Sequence, residues 1–345
     1  MNSFNTYLSA NKRCVRKVGT DLCAIIILGI PVFVLFLVGQ PYKRGFNCDD
    51  ESIRYPYKDN TITSVVNYLY STLIPIITII IVEIVYHRKA IQNYNQSQDP
   101  DDSTGLNKMP ANTDLLWQIY CRLAPFIFGA LISQLTTDIA KYTIGRLRPH
   151  FIDVCKPEIS DGTRFTIQTG CQGYEYRYIT DYQCTSIEFN DHRKRDAHLS
   201  FMSGHSSFVA YCLVYLVIYL QVRLRWSALG FIRPLYQTLL IYLVIYTGFT
   251  RISDYKHHWS DVLIGLLQGL VVAILSTVFI SDLFATRTRI VGCPTTAAAE
   301  LTDSYGTNSQ STGIIHQSPK RHPNYDSCKV EMDENLRLYD NDINI

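Results

Sequence analysis

The sequence predicts an all-α integral membrane protein, a polytopic bundle of six transmembrane helices, and three observations carry that prediction. The first is a set of uncharged runs, Leu22–Gly39, Ile62–Val82 and Val262–Ser281, each long enough to cross a bilayer. The second is a set of shorter runs, Leu123–Thr137, Ser206–Val222 and Pro234–Thr250, edged by Arg122, Arg223, Arg225 and Arg233. A helix of about 17 residues covers roughly 25 Å, slightly under the hydrocarbon thickness, and arginines that snorkel to the interface make up the difference. The third is the placing of basic residues. Lys12, Arg13, Arg16 and Lys17 precede the first run, Arg88 and Lys89 follow the second, Arg223, Arg225 and Arg233 separate the fourth from the fifth, and Arg287 and Arg289 follow the sixth. The positive-inside rule puts all of these, and both termini, in the cytosol. The N-terminal stretch lacks a small-residue cleavage pattern, so the first span is expected to be retained.

In chain order, residues 1–20 read as a cytosolic lead, residues 21–285 as the membrane domain, and residues 286–345 as a polar tail without apolar periodicity, expected to be disordered. The loop 88–114 is polar and reads as a cytosolic connection; it holds the sequon Asn95-Gln96-Ser97. The loops at about residues 40–61 and 149–200 fall on the exoplasmic side, and the second is expected to form a cap or rim. Cys48, Cys155, Cys171 and Cys184 lie in these loops, where an oxidising compartment allows one or two disulfides in any of three pairings. The chain is 47% hydrophobic and 18% charged; its net charge of +2 says nothing about partners, and no nucleic-acid partner is expected.

Three polar clusters sit at the edges of these spans: Lys141–Pro149 (KYTIGRLRP), Phe201–His205 (FMSGH) and Thr250–Asp261 (TRISDYKHHWSD). Together they hold what a phosphoryl group needs: fixed cations, backbone donors at a Ser-Gly turn, and imidazoles beside a carboxylate. Lys141 and Arg148 share one face if the helix continues, and Pro149 disfavours helix at Arg148, so the span is expected to end there. Arg146 and Arg148 flank Leu147, and either can enter the site while the other meets headgroups. Ser203 can cap the next helix or donate to a phosphate oxygen, Gly204 lets the backbone approach closely, and His205 can protonate a leaving alkoxide. Arg251 can clamp phosphate oxygens. His257 is four residues from Asp261 and His258 three, both within helical reach, so spacing does not choose between them.

The order and spacing of these clusters resemble the signature of the lipid phosphate phosphatase family, the membrane branch of the type 2 phosphatidic acid phosphatases: K-x6-RP, PSGH and SR-x5-H-x3-D. Here it stands as Lys141 to Arg148-Pro149, then Met202-Ser203-Gly204-His205, then Thr250-Arg251 to His257 and Asp261. Two further stretches, PYKRGFNCDDESIRYPY and SDYKHHWSDVLIG, are similar to animal members, the insect Wunen-like group included, and the resemblance covers about residues 20–285. Met202 stands in place of Pro and Thr250 in place of Ser. The resemblance implies His257 as the nucleophile that forms a phosphohistidine, Asp261 as its orienting carboxylate and His205 as the acid for the leaving group. It implies Lys141, Arg148, Ser203, Gly204 and Arg251 as the phosphate holders, with no metal and no other cofactor. The implied substrates are phosphatidate, lysophosphatidate, sphingosine 1-phosphate or ceramide 1-phosphate, drawn from the lipid bilayer and cleaved at the exoplasmic face. The plasma membrane stands ahead of internal membranes as the location, and a homo-oligomer is compatible with the sequence.

Overall fold

The computed structural model describes residues 2–96, 112–170, 173–224, 230–281, 283–284, 288–291 and 329–332. Of the described residues 67% are helical, as the apolar runs require: without water to satisfy it, a spanning backbone must bond internally. The long helices are α1 (Asn2–Val38), α2 (Ser64–Gln96), α3 (Asn112–Ile144), α6 (Gly204–Arg223), α7 (Ile232–Ser253) and α8 (Trp259–Leu275), which continues through one π turn, Ser276–Ile280. The intervening outer segments form two short helices, α4 (Phe151–Cys155) and α5 (Asp191–Asp196). Among the described residues, α1, α2, α3, α6 and α8 are long and apolar enough to cross a membrane. The helix α7 has the length but carries more Tyr, Thr and Gln. Its exposed face, Leu235, Leu239, Tyr242, Tyr246 and Phe249, is nonetheless apolar, whereas its buried face includes Thr247, Thr250 and Arg251.

Helix α6 is the axis of the bundle. Tyr211, Tyr215 and Tyr219, spaced four apart on one face, are fully buried, and each phenol finds an acceptor on another helix. Tyr211 donates to the Phe126 carbonyl at 2.7 Å, Tyr215 to the Arg122 carbonyl at 3.2 Å and Tyr219 to Glu83 at 2.8 Å. Helix α8 crosses α6 at backbone distance because Gly265 and Gly269 face it; a Cβ at position 265 would lie 2.7 Å from the Ser203 carbonyl oxygen. Small residues four apart are the usual means of such close approach between spanning helices.

A second, smaller core lies outside the bundle. Strand β1 (Phe46–Asn47) pairs antiparallel with β3 (Tyr178–Ile179), and β2 (Pro157–Glu158) with β4 (Gln183–Cys184). Phe46, Phe151, Phe165 and Tyr182 meet edge to face, and Cys155 is bonded to Cys184. Cys48 is also disulfide-bonded; Cys171 lies outside the described residues. The two outer loops thus fold together as one cap.

Two expectations are corrected. Helix α3 ends at Ile144, not at Arg148. Gly145 takes φ +57°, a conformation that suits glycine, and its N–H bonds the Lys141 carbonyl at 3.1 Å, closing the helix four residues before the proline. Lys141 and Arg148 therefore do not share a helical face. Helix α2 runs through Arg88 and Lys89 to Gln96, so the polar connection starts later than its composition suggests. The remainder of that connection, through residue 111, lies outside the described residues. In the tail, β5 (Thr288–Val291) pairs antiparallel with β6 (Lys329–Met332); most of the segment expected to be disordered lies outside the described residues.

Candidate active site

The three clusters meet at one end of the bundle, where α3 ends, α6 begins, α7 ends and α8 begins. After Gly145 the chain runs extended, and two backbone bonds tie it to the end of the cap: Arg148 N–H to the Ala197 carbonyl and Ser200 N–H to the Arg146 carbonyl, both 2.9 Å. Both arginines of this stretch turn inward. Arg148 is buried, its Nη2 2.7 Å from Asp196, while its Nε has no partner among the described residues. Arg146 donates to Asp261 at 2.6 Å and to Ser260 at 2.8 Å.

Ser203 caps α6, its side chain accepting from the Ser206 N–H, and its own N–H bonds the Asp261 carbonyl at 3.1 Å. Gly204 follows because Lys141 reaches here: a Cβ at 204 would stand 3.1 Å from the Lys141 Nζ. Lys141 forms no ion pair among the described residues. His205 lies against the Ile62 backbone, and its Nε2 is buried without a partner among the described residues. A buried polar atom left open in this way points to a ligand.

Arg251 is fully buried and boxed in. Its guanidinium donates to Thr250 at 3.3 Å, to Asn60 at 3.1 Å and to Asp254 at 3.0 Å. Asp254 is held in turn by the N–H and hydroxyl of Thr61, each at 2.7 Å. A strap from the first outer loop, Asn60 to Ile62, therefore touches both Arg251 and His205.

His257 is buried, and its Nδ1 lies 2.7 Å from the Ser200 carbonyl. A carbonyl only accepts, so Nδ1 carries the proton and Nε2 keeps its lone pair. Burial pushes the His257 imidazole well below its ordinary pKa, and the charges of Arg148, Lys141 and His205 act the same way. It is neutral at pH 7. Neighbouring His150, with Nδ1 2.7 Å from the Tyr255 carbonyl, is lowered to about 3 by burial and by Arg148 and Lys256. Lys256 stands over the Tyr57 ring at 3.6 Å and is lowered to about 8 by burial and by Arg148.

The expected pairing of His257 with Asp261 is corrected. Helix α8 starts at Trp259, with His258 as its N-cap and Asp261 as the third helical residue. Asp261 therefore bonds back to His258, to its N–H and to Nδ1, both at 3.2 Å, in a capping box. His257 precedes the helix, so the four-residue spacing does not bring it to the carboxylate. Ser200 links the two instead: its carbonyl holds His257, and its hydroxyl donates to Asp261 at 2.6 Å.

The structure thus brings together Lys141, Arg148, Ser203, Gly204, His205, Arg251 and His257, with Asp261 one residue removed from the imidazole. Sequence reasoning missed Asn60, Thr61, Asp196, Ser200 and Asp254. The polar pair Asn60-Thr61 just ahead of a span was the one visible signal; a backbone carbonyl as partner for His257 leaves none.

Residues 122–285 match the model of the PAP2 superfamily. A Drosophila melanogaster protein named, provisionally, as a phosphatidate phosphatase is 42% identical over 80% of this chain and 72% of its own length. Phospholipid phosphatase 2 of Mus musculus is 40% identical over 77% of this chain and 87% of its own, and that of Homo sapiens 38% over 77% and 83%. The chain belongs to the lipid phosphate phosphatase family. It is accordingly a multi-pass membrane phosphatase, and the site just described lies within the matched region except for the strap. No solved structure matches the chain.

Proposed function

We propose that this protein is a metal-independent lipid phosphate phosphohydrolase that works through a phosphohistidine, with six spans and its site on the exoplasmic face. The observation that carries the reading is the pair of open imidazole nitrogens. His257 is neutral with its proton fixed on Nδ1, and the buried Nε2 of His205 has no partner among the described residues, in a setting of several cations.

The phosphate of a lipid monoester takes its place among Lys141, Arg148, Arg251 and the first N–H groups of α6, where positive charge and the helix end favour it. His257 Nε2 attacks phosphorus, and the P–O bond to the lipid alkoxide breaks as His205 gives that oxygen a proton. The dianion brought by the substrate favours the protonated form of His205. Water then attacks the phosphohistidine, His205 takes its proton, and inorganic phosphate and neutral His257 are released. Ser200 keeps the His257 proton on Nδ1 throughout, and Asp261 fixes Ser200. The substrates are phosphatidate, lysophosphatidate, sphingosine 1-phosphate or ceramide 1-phosphate. The names of the related proteins favour this class, and the site's position at the end of spanning helices gives a lipid phosphate direct access. The apolar exposed face of α7 supports a sixth span, which puts all three clusters on one side; the disulfides and the positive-inside charge pattern support the exoplasmic side and, with it, the plasma membrane.

Phosphate release from these lipids by purified protein in EDTA, with inhibition by vanadate, tests the chemistry. Loss of all activity in EDTA and its return with magnesium would reject the mechanism. Cysteines introduced at Ile187, which is exposed on the cap, and at position 101 test sidedness: labelling of the first alone from outside intact cells is expected, and labelling of both would sink the six-span arrangement.

A further inference from the structure

Helix α3 carries a polar ladder that the chemistry above does not use. The Gln134 side-chain amide donates to both oxygens of Asp138, at 3.0 and 2.9 Å, and its own oxygen accepts from the Tyr68 hydroxyl of α2 at 3.1 Å. Asp138 forms no ion pair among the described residues, and it is only partly buried. A carboxylate inside a spanning helix is costly and usually marks function. An ionised carboxylate has about four acceptor positions, and one amide leaves most of them open.

The surroundings of Asp138 say what can reach it. Helices α1 and α2 each pack on α3 and, among the described residues, scarcely on each other. The chain just past the end of α1 meets α3 at Tyr142, against which Gly39 sits, and α2 meets it at Gln134. Asp138 lies four residues from each, on the same face, and so floors the gap between α1 and α2. Tyr68, 40% exposed, and Leu69 border the gap on the α2 side, so it opens sideways where lipid would be. One turn further along α3, a rise of about 4.5 Å, stands Lys141, whose Nζ reaches Gly204 in the site.

We propose that Asp138 is the floor of a lateral lipid slot and accepts a hydrogen bond from a free hydroxyl or ammonium group two or three bonds from the phosphate ester of the substrate. The inference rests on the phosphatase reading of the site and names the class that this site favours. With the phosphate held beside Lys141, the lipid backbone must pass Asp138 on its way out to the bilayer. A lysophospholipid offers a glycerol hydroxyl there, and a sphingoid base phosphate offers a hydroxyl and an ammonium. A diacylated phosphatidate offers neither, and its ester carbonyls face a carboxylate with no proton to share. Discrimination through a hydrogen bond left unmade is stronger than discrimination by apolar fit.

The test uses full-length protein in mixed micelles and compares kcat/KM for sphingosine 1-phosphate, lysophosphatidate, a lysophosphatidate analogue lacking the glycerol hydroxyl, and phosphatidate. In the wild type, removal of that hydroxyl is expected to lower kcat/KM about tenfold. In Asp138→Asn and Asp138→Ala the ratio of sphingosine 1-phosphate to phosphatidate should fall about tenfold or more, with partial return in Asp138→Glu. The analogue comparison needs no variant, so a poorly folding substitution does not blunt the test. A full hydroxyl-independent rate in the wild type, or an equal loss on every lipid in the variants, would overturn the assignment and leave Asp138 acting only through Lys141. Release from no lipid at all would overturn the phosphatase reading itself, a result distinguishable from release with flat selectivity.

Discussion

Helix α6 joins two clusters of buried charge, and they are built in opposite ways. At its last turn, Arg223 and, from α3, Arg122 surround Glu83 of α2, which is completely buried; Arg223 Nη2 lies 2.9 Å from the carboxylate and Tyr219 donates to it at 2.8 Å. The anion is in the middle and the cations are around it. At the first turn, about 30 Å away, the arrangement is inverted. Asp196, Asp254 and Asp261 stand at the periphery, each holding one guanidinium from behind, and the middle holds imidazoles and the Lys141 ammonium. One end completes its electrostatics with the protein's own anion and braces three helices. The other has no carboxylate in its middle among the described residues, which is the place that the proposed mechanism gives to the substrate phosphate. Placement of the carboxylates, and not the number of charges, distinguishes a staple from a site.

The largest effect that would sharpen this contrast lies at the centre of the outer cluster. His257→Ala should lower kcat by about 10⁴-fold or more, since it removes the proposed nucleophile. His258→Ala breaks only the cap of α8 and its contact with Asp261, and about tenfold is expected. Dead His258→Ala beside active His257→Ala at equal expression would mean that the nucleophile has been assigned one residue out.

Next come two substitutions whose effects should cross. Lys141→Met is expected to lower kcat/KM by about 10²–10³-fold while the melting temperature holds or rises, because it removes a charge that forms no ion pair among the described residues. Glu83→Gln should do the reverse. It strands Arg122 and Arg223 and should destabilise by about 3–5 kcal/mol, with kcat/KM of the folded fraction within about threefold of the wild type. Thermal melts and phosphate release on the same preparations decide it; if both variants lose stability and activity alike, the two clusters do not differ as described.

A smaller effect is expected at the crossing that joins the first turns of α6 and α8. Gly265→Ala pushes a methyl against the Ser203 carbonyl and should cost about 1–3 kcal/mol, with kcat down about tenfold as His205 and His257 separate. Retained kcat with a lowered melting temperature would show that the crossing serves stability alone.

The smallest is a pH dependence confined to the outer end. The folded-state pKa of His150 is about 3, and burial also lowers His198 and His257, whereas in the unfolded chain each binds its proton near 6.5. For His150 the unfolded state holds more protons between those limits, so stability is full above pH 6.5 and falls as the pH drops below it, by up to about 1.4 kcal/mol per unit; His198 and His257 act in the same direction. His150→Gln should flatten part of that slope. A melting temperature independent of pH from 7 to 5 would contradict the burial of all three.

Apolar runs and edge motifs were enough to read the helices and most of the site, because lipid leaves a spanning chain few alternatives and phosphate chemistry needs specific side chains. What could not be read was set by local backbone geometry. Gly145 closes α3 before Pro149 can, and a capping box claims Asp261 for His258. The decisive partner of His257 is a carbonyl, which every residue possesses. Asp196 and Asp254 are ordinary acidic residues until the cap and strap fold over them.

The cap is also closed by a covalent bond. Arg148 is tied to Ala197 and Ser200 to Arg146, all at the margin of the segment that the Cys155–Cys184 bond closes. The bond therefore reaches the site through the backbone: reduction of Cys155–Cys184 in the purified protein is expected to loosen the stretch that anchors Arg148 and carries the Ser200 carbonyl beside His257, and an unchanged rate of phosphate release after reduction would show that the cap holds its shape without it.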